Sequence, residues 1–101
     1  MLIHAVYFWL RADLAAAQRS DFISEVKKLS AVRTIEKLYV GTPAPIAARE
    51  VTDRSFDVAL TIIFRDGSAH DAYQVDPLHL IFVEKNKTSW SRVSIYDSET
   101  I

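Results

Sequence analysis

The sequence predicts an α+β fold in which helices cover one face of a four-stranded antiparallel sheet. Three observations support this prediction. Across residues 56–64 a strongly apolar set alternates with a mixed set, Asp57, Ala59, Thr61 and Ile63, as in a strand with one buried face. Phe22, Val26 and Leu29 recur at helical spacing, which indicates an amphipathic helix. The signals follow the order β-α-β-β-α-β, which is typical of a ferredoxin-like sandwich.

The first half of the chain contains two predicted strands joined by the amphipathic helix. Residues 2–10 are almost wholly apolar or aromatic and too few to cross a membrane, so we predict a strand. Asp13 is the predicted cap of the helix that follows. Residues 35–40 predict the second strand, which ends at the glycine and prolines of residues 41–45. A surface loop continues through about Ser55.

The second half contains two further strands with helical segments between them. Residues 56–64 predict the third strand, and residues 90–96 predict the fourth. A turn follows the third strand, and we predict a short helix over 69–75 with Ser68 as its cap.

A break in the second helical region is predicted at proline. Pro77 disfavours a helical conformation at Asp76, yet proline suits the first position of a helix that Asp76 can cap. We therefore predict a new helix over 77–87. The break falls immediately before His79.

Size and charge indicate one domain and narrow the classes of partner. The chain has 101 residues, of which 50% are hydrophobic, so we predict a single domain over residues 1–101. Lys and Arg number 12 and Asp and Glu number 13, which leaves a net charge of −1. This balance offers no excess positive charge to phosphates or anionic lipids, so we expect neither nucleic acid nor a membrane as partner.

Composition also argues against several kinds of chemistry. Cysteine is absent, which excludes disulfides, thiolate metal sites and cysteine nucleophiles. With only two glycines there is no glycine-rich phosphate loop, and we expect no cofactor. We expect His70 to be solvated and no metal site to form, since His70, Asp71 and Asp76 lack a recognised ligand spacing. No signal segment is evident at the N-terminus, so we expect a cytoplasmic location.

The first strand is apolar on both of its faces, whereas helices can cover only one. Its two alternating sets are Leu2, His4, Val6, Phe8 and Ile3, Ala5, Tyr7, Trp9. A second subunit is the simplest cover for the other face, so we predict a homodimer. The remaining strands add Asp57, Ala59, Thr61, Ile63, Arg92, Ser94 and Tyr96 to that face. We therefore predict a cavity of mixed polarity between the sheet and its partner, with the candidate site beside it.

Three residues are the candidate catalytic residues: His4, Tyr73 and His79. An imidazole can take a proton from a carbon beside a carbonyl, and a tyrosine hydroxyl can hydrogen-bond the enolate oxygen that forms. We assign His79 as the base and Tyr73 as the donor, while His4 binds a substrate carbonyl or fixes the tautomer of His79. Each residue also has a packing role open to it, and His4 can be a core histidine bonded to a backbone carbonyl or to Tyr73.

The ordered set of these residues resembles the stress-responsive α/β barrel (Dabb) family over essentially the whole chain. The set comprises His4 in an apolar first strand, Gly41 closing the second, Tyr73, residues 77–79, Phe82 and a final strand ending at Asp97. The resemblance implies a homodimer in which two ferredoxin-like sheets close into an α/β barrel. Most members have no established activity. One plant member closes a linear polyketide by aldol chemistry without a cofactor, and its catalytic residues match His4, Tyr73 and His79. The chain has Asp76 where the family commonly has histidine.

Two classes of function therefore remain open. The first is binding of a small apolar carbonyl compound near His4, Tyr73 and His79, with cyclase or isomerase chemistry that needs no cofactor. The second is a non-catalytic, stress-associated homodimer in which these residues are structural. The sequence does not decide whether the protein is an enzyme.

Overall fold

The structure contains the predicted strands and helices in the predicted order. It is a computed structural model that describes residues 1–101. The strands are β1 (Leu2–Leu10), β2 (Ile35–Gly41), β3 (Val58–Phe64) and β4 (Trp90–Glu99), and the helices are α1 (Ala16–Lys27), α2 (Gly67–Gln74) and α3 (Pro77–Asn86). A 3-10 turn, Lys28–Ala31, extends α1. None of the helices has the length and apolar character needed to span a membrane.

The four strands form one antiparallel sheet in the order β2-β3-β1-β4. The central strand β1 pairs with β3 on one side and with β4 on the other, so His4 lies opposite Ile62 and opposite Asp97. The predicted ferredoxin-like α+β fold is confirmed.

One hydrophobic core fills the space between the sheet and the helices. Alternate residues of β1 and β3 are buried in it, as the alternating pattern predicts for residues 58–64. The strand begins at Val58 rather than at Phe56, and Phe56 packs against Tyr7 on the other face of the sheet. The helical stripe of Phe22, Val26 and Leu29 is buried against them, which confirms the predicted amphipathic helix. The other face of the sheet carries Ala5, Tyr7 and the remaining odd-numbered residues of β1, and no helix covers it.

Two of the three predicted helix caps are wrong. The Asp13 carboxylate accepts hydrogen bonds from the neighbouring Arg11 guanidinium, and α1 begins later, where the Ala15 N–H donates to Gln18 Oε1 at 2.8 Å. Ser68 lies inside α2, because Asp66 caps this helix by accepting from the Ala69 N–H at 2.9 Å. A carboxylate also interacts favourably with the positive end of the helix dipole.

The break between α2 and α3 occurs as predicted. Pro77 is the first residue of α3, and the Asp76 carboxylate accepts from the Leu78 N–H at 2.8 Å. The break turns the chain so that α2 and α3 both face the sheet near His4.

The last strand is longer than predicted and lies at the edge of the sheet. It continues to Glu99 rather than ending at Tyr96, since its ladder with β1 runs on to the pair of Leu2 with Glu99. Val93 and Ile95 face the helical side but remain 39% and 50% exposed. The helical layer therefore does not cover the edge of the sheet at β4.

Candidate functional site

A cavity of about 200 Å³ lies between the sheet and helices α2 and α3. We call it the helix-side cavity. It is lined by His4, Val6, Phe8, Leu60, Tyr73, Gln74, His79, Phe82, Val83, Trp90, Val93 and Ile95. The three candidate residues His4, Tyr73 and His79 thus border one space with a mostly apolar wall. Its volume is below the range of about 300–1,000 Å³ for pockets that hold drug-sized ligands, so it suits a small compound.

His4 is buried in β1 and forms a short hydrogen bond with a carboxylate of β4. Its Nδ1 donates to Asp97 Oδ1 at 2.5 Å, across the directly paired strands. Burial lowers the pKa of His4, and the hydrogen bond that His4 donates to Asp97 offsets only part of that effect. The ring is therefore neutral near pH 7, with its proton on Nδ1 and a lone pair on Nε2.

Asp97 was not predicted as a partner of His4. A structural His4 was predicted to bond to a backbone carbonyl or to Tyr73, and neither of these groups accepts the hydrogen bond from His4 Nδ1. The signal that could have found Asp97 is the antiparallel register of the first and last strands, which places it directly opposite His4.

Tyr73 is 2% exposed, but its hydroxyl has no hydrogen-bond partner within the chain. The one fully enclosed side-chain polar atom without a partner is Thr34 Oγ1, so the Tyr73 hydroxyl is not fully enclosed, and Tyr73 lines the helix-side cavity. Burial raises the pKa of Tyr73 far above its ordinary value, because the charged phenolate is poorly solvated there. The hydroxyl thus stays protonated and is free to donate a hydrogen bond.

His79 lies in the first turn of α3 and packs against Tyr73, with 4.5 Å between the ring centroids. Its Nδ1 is 3.0 Å from the backbone carbonyl oxygen of Gln74. A carbonyl only accepts, so His79 donates from Nδ1 and its Nε2 carries the lone pair. The Gln74 carbonyl therefore fixes this tautomer, and the prediction that His4 does so is wrong.

The predicted position of the site beside the mixed face of the sheet is also wrong. Even-numbered residues of β1 point to the helices, so His4 lies under α2, on the face of the sheet that the helices cover. The open face has its own cavity of about 400 Å³, lined by Ala5, Tyr7, Trp9, Asp53, Phe56, Arg92 and Tyr96. It has the mixed polarity expected of that face, but none of the three candidate residues borders it.

His70 is not solvated as predicted. Its side chain is 16% exposed, and its ring centroid lies 5.1 Å from that of His4. Its Nε2 is 3.1 Å from Gln74 Nε2. A spacing of three residues from Tyr73 on one helix is the signal that could have placed His70 on the same buried face.

Comparison with known families settles the relationship of the chain. The family model of the stress responsive A/B barrel domain (Dabb) matches residues 2–100. The chain belongs to the Dabb family. No curated protein matches it.

Solved structures share the Dabb fold at low sequence identity. A Dabb protein with a ferredoxin-like fold from Mesorhizobium loti is 20% identical, with a TM-score of 0.81 and coverage of 99% of this chain and 96% of that one. A dimeric ferredoxin-like protein of unknown function from Thermobifida fusca is 17% identical, with a TM-score of 0.80 and coverage of 98% and 90%. A hydroxynitrile lyase from Passiflora edulis is 19% identical, with a TM-score of 0.79 and coverage of 99% and 95%. These likenesses show the fold alone.

Proposed function

We propose that this Dabb domain binds a small carbonyl compound in the helix-side cavity and transfers a proton on it without a cofactor. The observation that supports this proposal most strongly is the Tyr73 hydroxyl, a hydrogen-bond donor without a partner in a cavity that is otherwise mostly apolar. A carbonyl oxygen is a fitting acceptor for it, and the apolar wall suits the rest of the compound.

Tyr73 and His79 would divide the reaction between them. The Tyr73 hydroxyl donates to the carbonyl oxygen, while Nε2 of His79 takes a proton from the neighbouring carbon. The negative charge that develops on the oxygen is then stabilised by the Tyr73 hydrogen bond, which is stronger in an apolar cavity than in water. Return of the proton to a different carbon gives isomerisation. Attack of the enolate carbon on a second carbonyl carbon of the same compound gives ring closure, and the proton held by His79 passes to the alkoxide oxygen that forms.

His4 has a different role in this proposal from the one that the sequence indicates. Its only N–H is held by Asp97, so neutral His4 has no proton to donate to a substrate carbonyl. Its Nε2 lone pair can instead accept a hydrogen bond from a substrate hydroxyl. Asp97 holds the ring in the tautomer that makes this possible.

A similar fold that hosts enzymatic activity supports the proposal by analogy. The Passiflora edulis protein of the same fold is a hydroxynitrile lyase. The architecture can therefore carry lyase chemistry, although fold alone does not assign a reaction.

A second candidate function is a non-catalytic, stress-associated homodimer. It is favoured by the hydrogen bonds of His4 to Asp97 and of His79 to Gln74, since the Nδ1–H group of each imidazole has its partner within the chain. In this case the three residues hold the helices to the sheet.

Exchange of α-protons for deuterium tests the proposed proton transfer. Small methyl ketones and 1,3-diketones are incubated with the protein in D2O, and loss of the α-proton signals is followed by NMR. We expect the protein to accelerate exchange in at least one of these compounds. Tyr73→Phe keeps the ring but removes the donor, so it should slow the exchange about 100-fold. His79→Gln should slow it as well.

Tyr39→Phe is the matched control, because Tyr39 is an exposed tyrosine on β2 outside the cavity. It should leave the exchange rate unchanged. Exchange that is as fast in Tyr73→Phe as in the unmodified chain would contradict the proposal. Absence of any accelerated exchange, together with a lower melting temperature in His79→Gln, would favour the structural homodimer.

A further inference from the structure

We infer that His4, His70 and Asp97 form a binding site for a divalent transition-metal ion of the Zn²⁺ type. The three residues come from β1, α2 and β4, and one ligand atom from each lies within 4.8 Å of the others. The sequence gives no such site, because the histidines are 66 positions apart (70 − 4) and only the fold brings them together. Metal binding would take the place of the His4–Asp97 hydrogen bond, and so of the substrate-binding role proposed for His4. The proton transfer by Tyr73 and His79 needs neither His70 nor a metal.

The relative position of the two imidazoles fits coordination of one ion. An ion about 2.0–2.1 Å from one nitrogen of each ring, at a tetrahedral angle, places the ring centroids about 5 Å apart. The centroids of His4 and His70 are 5.1 Å apart, with 57° between the ring planes. Tetrahedral bonds of this length put ligand atoms about 3.3 Å apart. The ligand atoms of the cluster lie within 4.8 Å of one another, so side-chain rotations would close the site.

The residues next to His70 determine which of its ring nitrogens is available to a metal ion. His70 Nδ1 lies 3.2 Å from Asp71 Oδ1, and a carboxylate there favours the tautomer with the proton on Nδ1. The lone pair then resides on Nε2, where the Gln74 side-chain amide now lies at 3.1 Å. A metal ion would displace this amide, because Nε2 binds a metal ion more strongly than it accepts a hydrogen bond from an amide.

The ligand set determines which ions bind. Two imidazoles and one carboxylate suit Zn²⁺ and neighbouring transition metals, whereas Mg²⁺ requires oxygen ligands. Three protein ligands also leave a coordination position for water or a small ligand. Since His4 lines the helix-side cavity, the ion would be bound at the edge of that space.

Calorimetric titration of the metal-free protein with ZnCl₂ tests the site, with MgCl₂ titrated in parallel. We expect one Zn²⁺ per chain, a higher melting temperature with Zn²⁺, and no binding of Mg²⁺. His70→Gln and Asp97→Asn each remove one ligand, so each should raise the Kd for Zn²⁺ by at least about tenfold. Asn at position 97 can still accept the hydrogen bond from His4, which preserves the local packing.

His79→Gln is the matched control, since it removes a histidine of the same cavity that lies outside the cluster. It should bind Zn²⁺ like the unmodified chain. The inference is overturned if Zn²⁺ does not bind, if binding persists in both ligand variants, or if His79→Gln weakens it equally.

Co²⁺ provides a second readout that does not depend on the folding of the variants. Bound to the unmodified chain, it should give the visible absorption of an ion with low coordination number, and Zn²⁺ should abolish that absorption. A spectrum identical to that of hydrated Co²⁺ would also overturn the inference. Neither measurement involves the proton-transfer assay, so the two proposals can fail separately.

Discussion

The pKa of His4 links a single buried side chain to the stability of the whole domain. Burial lowers this pKa in the folded chain, and positive charge on His70 or His79 would lower it further. The folded state therefore favours neutral His4. The resulting contribution to stability is present above the unfolded pKa of about 6.5 and is lost as the pH falls through the lower folded pKa.

We accordingly expect the free energy of unfolding of the metal-free protein to fall as the pH is lowered below about 6.5, the unfolded pKa of histidine. Urea unfolding at a series of pH values measures this change. His4→Gln removes the titrating ring and should reduce the slope, although it should also lower stability at neutral pH. An equal slope in the unmodified chain and in His4→Gln would show that other groups cause the acid sensitivity.

Residue identities predicted the candidate side chains, but not their partners. His4, Tyr73 and His79 could be selected because polar residues stand out in apolar segments. The Asp97 contact depends on strand register, and the burial of His70 depends on how α2 lies on the sheet. Both are tertiary relations, which a local pattern does not specify.

The cap of α3 is an element-scale feature with a measurable energy. Asp76 accepts from the Leu78 N–H, and this helix carries His79 in its first turn. Asp76→Ala should lower the free energy of unfolding by about 1 kcal/mol, because the first turn loses its side-chain acceptor. Urea unfolding at neutral pH measures the loss.

Asp76→Asn is the control for this prediction, since its side-chain oxygen can still accept the same hydrogen bond. It should retain most of the stability that the alanine variant loses. Equal stability of the alanine variant and the unmodified chain would show that Pro77 alone defines the start of α3.

Sequence patterns defined the elements well where one signal dominated, and less well where two competed. Pro77 allowed the helix to break at one position only. The Asp13 carboxylate could either cap a helix or pair with the nearby Arg11, and it pairs with Arg11. Asp66 and Ser68 both precede the second helical region, and the carboxylate caps it. The end of β4 has no local stop signal, because the ladder with β1 continues it.

At the scale of the whole molecule, the uncovered sheet face predicts self-association. It carries aromatic residues such as Tyr7 and Trp9, and dimers occur among structures of the same fold. We propose that two copies pair through this face, and light scattering at micromolar concentration should give a mass of twice 11.5 kDa. A mass of 11.5 kDa would contradict this proposal.

Two glutamate variants of similar exposure locate the interface. Tyr96 on the open face is 67% exposed, and Ile81 on the outer side of the helical layer is 61% exposed. Tyr96→Glu would bury a charge between subunits and should yield monomers. Ile81→Glu should remain dimeric. The reverse result would place the interface on the helices.

The whole-molecule arrangement also explains why the position of the site was predicted incorrectly. Both faces of β1 are apolar, so alternation alone could not decide which face His4 shares with the helices. Packing of α2 and α3 over the even-numbered residues decides it and leaves one cavity on each face of the sheet.

The uncovered edge at β4 has a consequence for the kinetics of ligand exchange. The cavity wall formed by Val93 and Ile95 is reached directly from solvent, and pairing through the opposite sheet face would leave this entrance free. Under the proposed function and the proposed dimer, a compound would therefore enter without displacement of a helix or separation of subunits. Association would be governed by diffusion and by removal of water from the apolar wall, and residence time by the strength of the contacts inside.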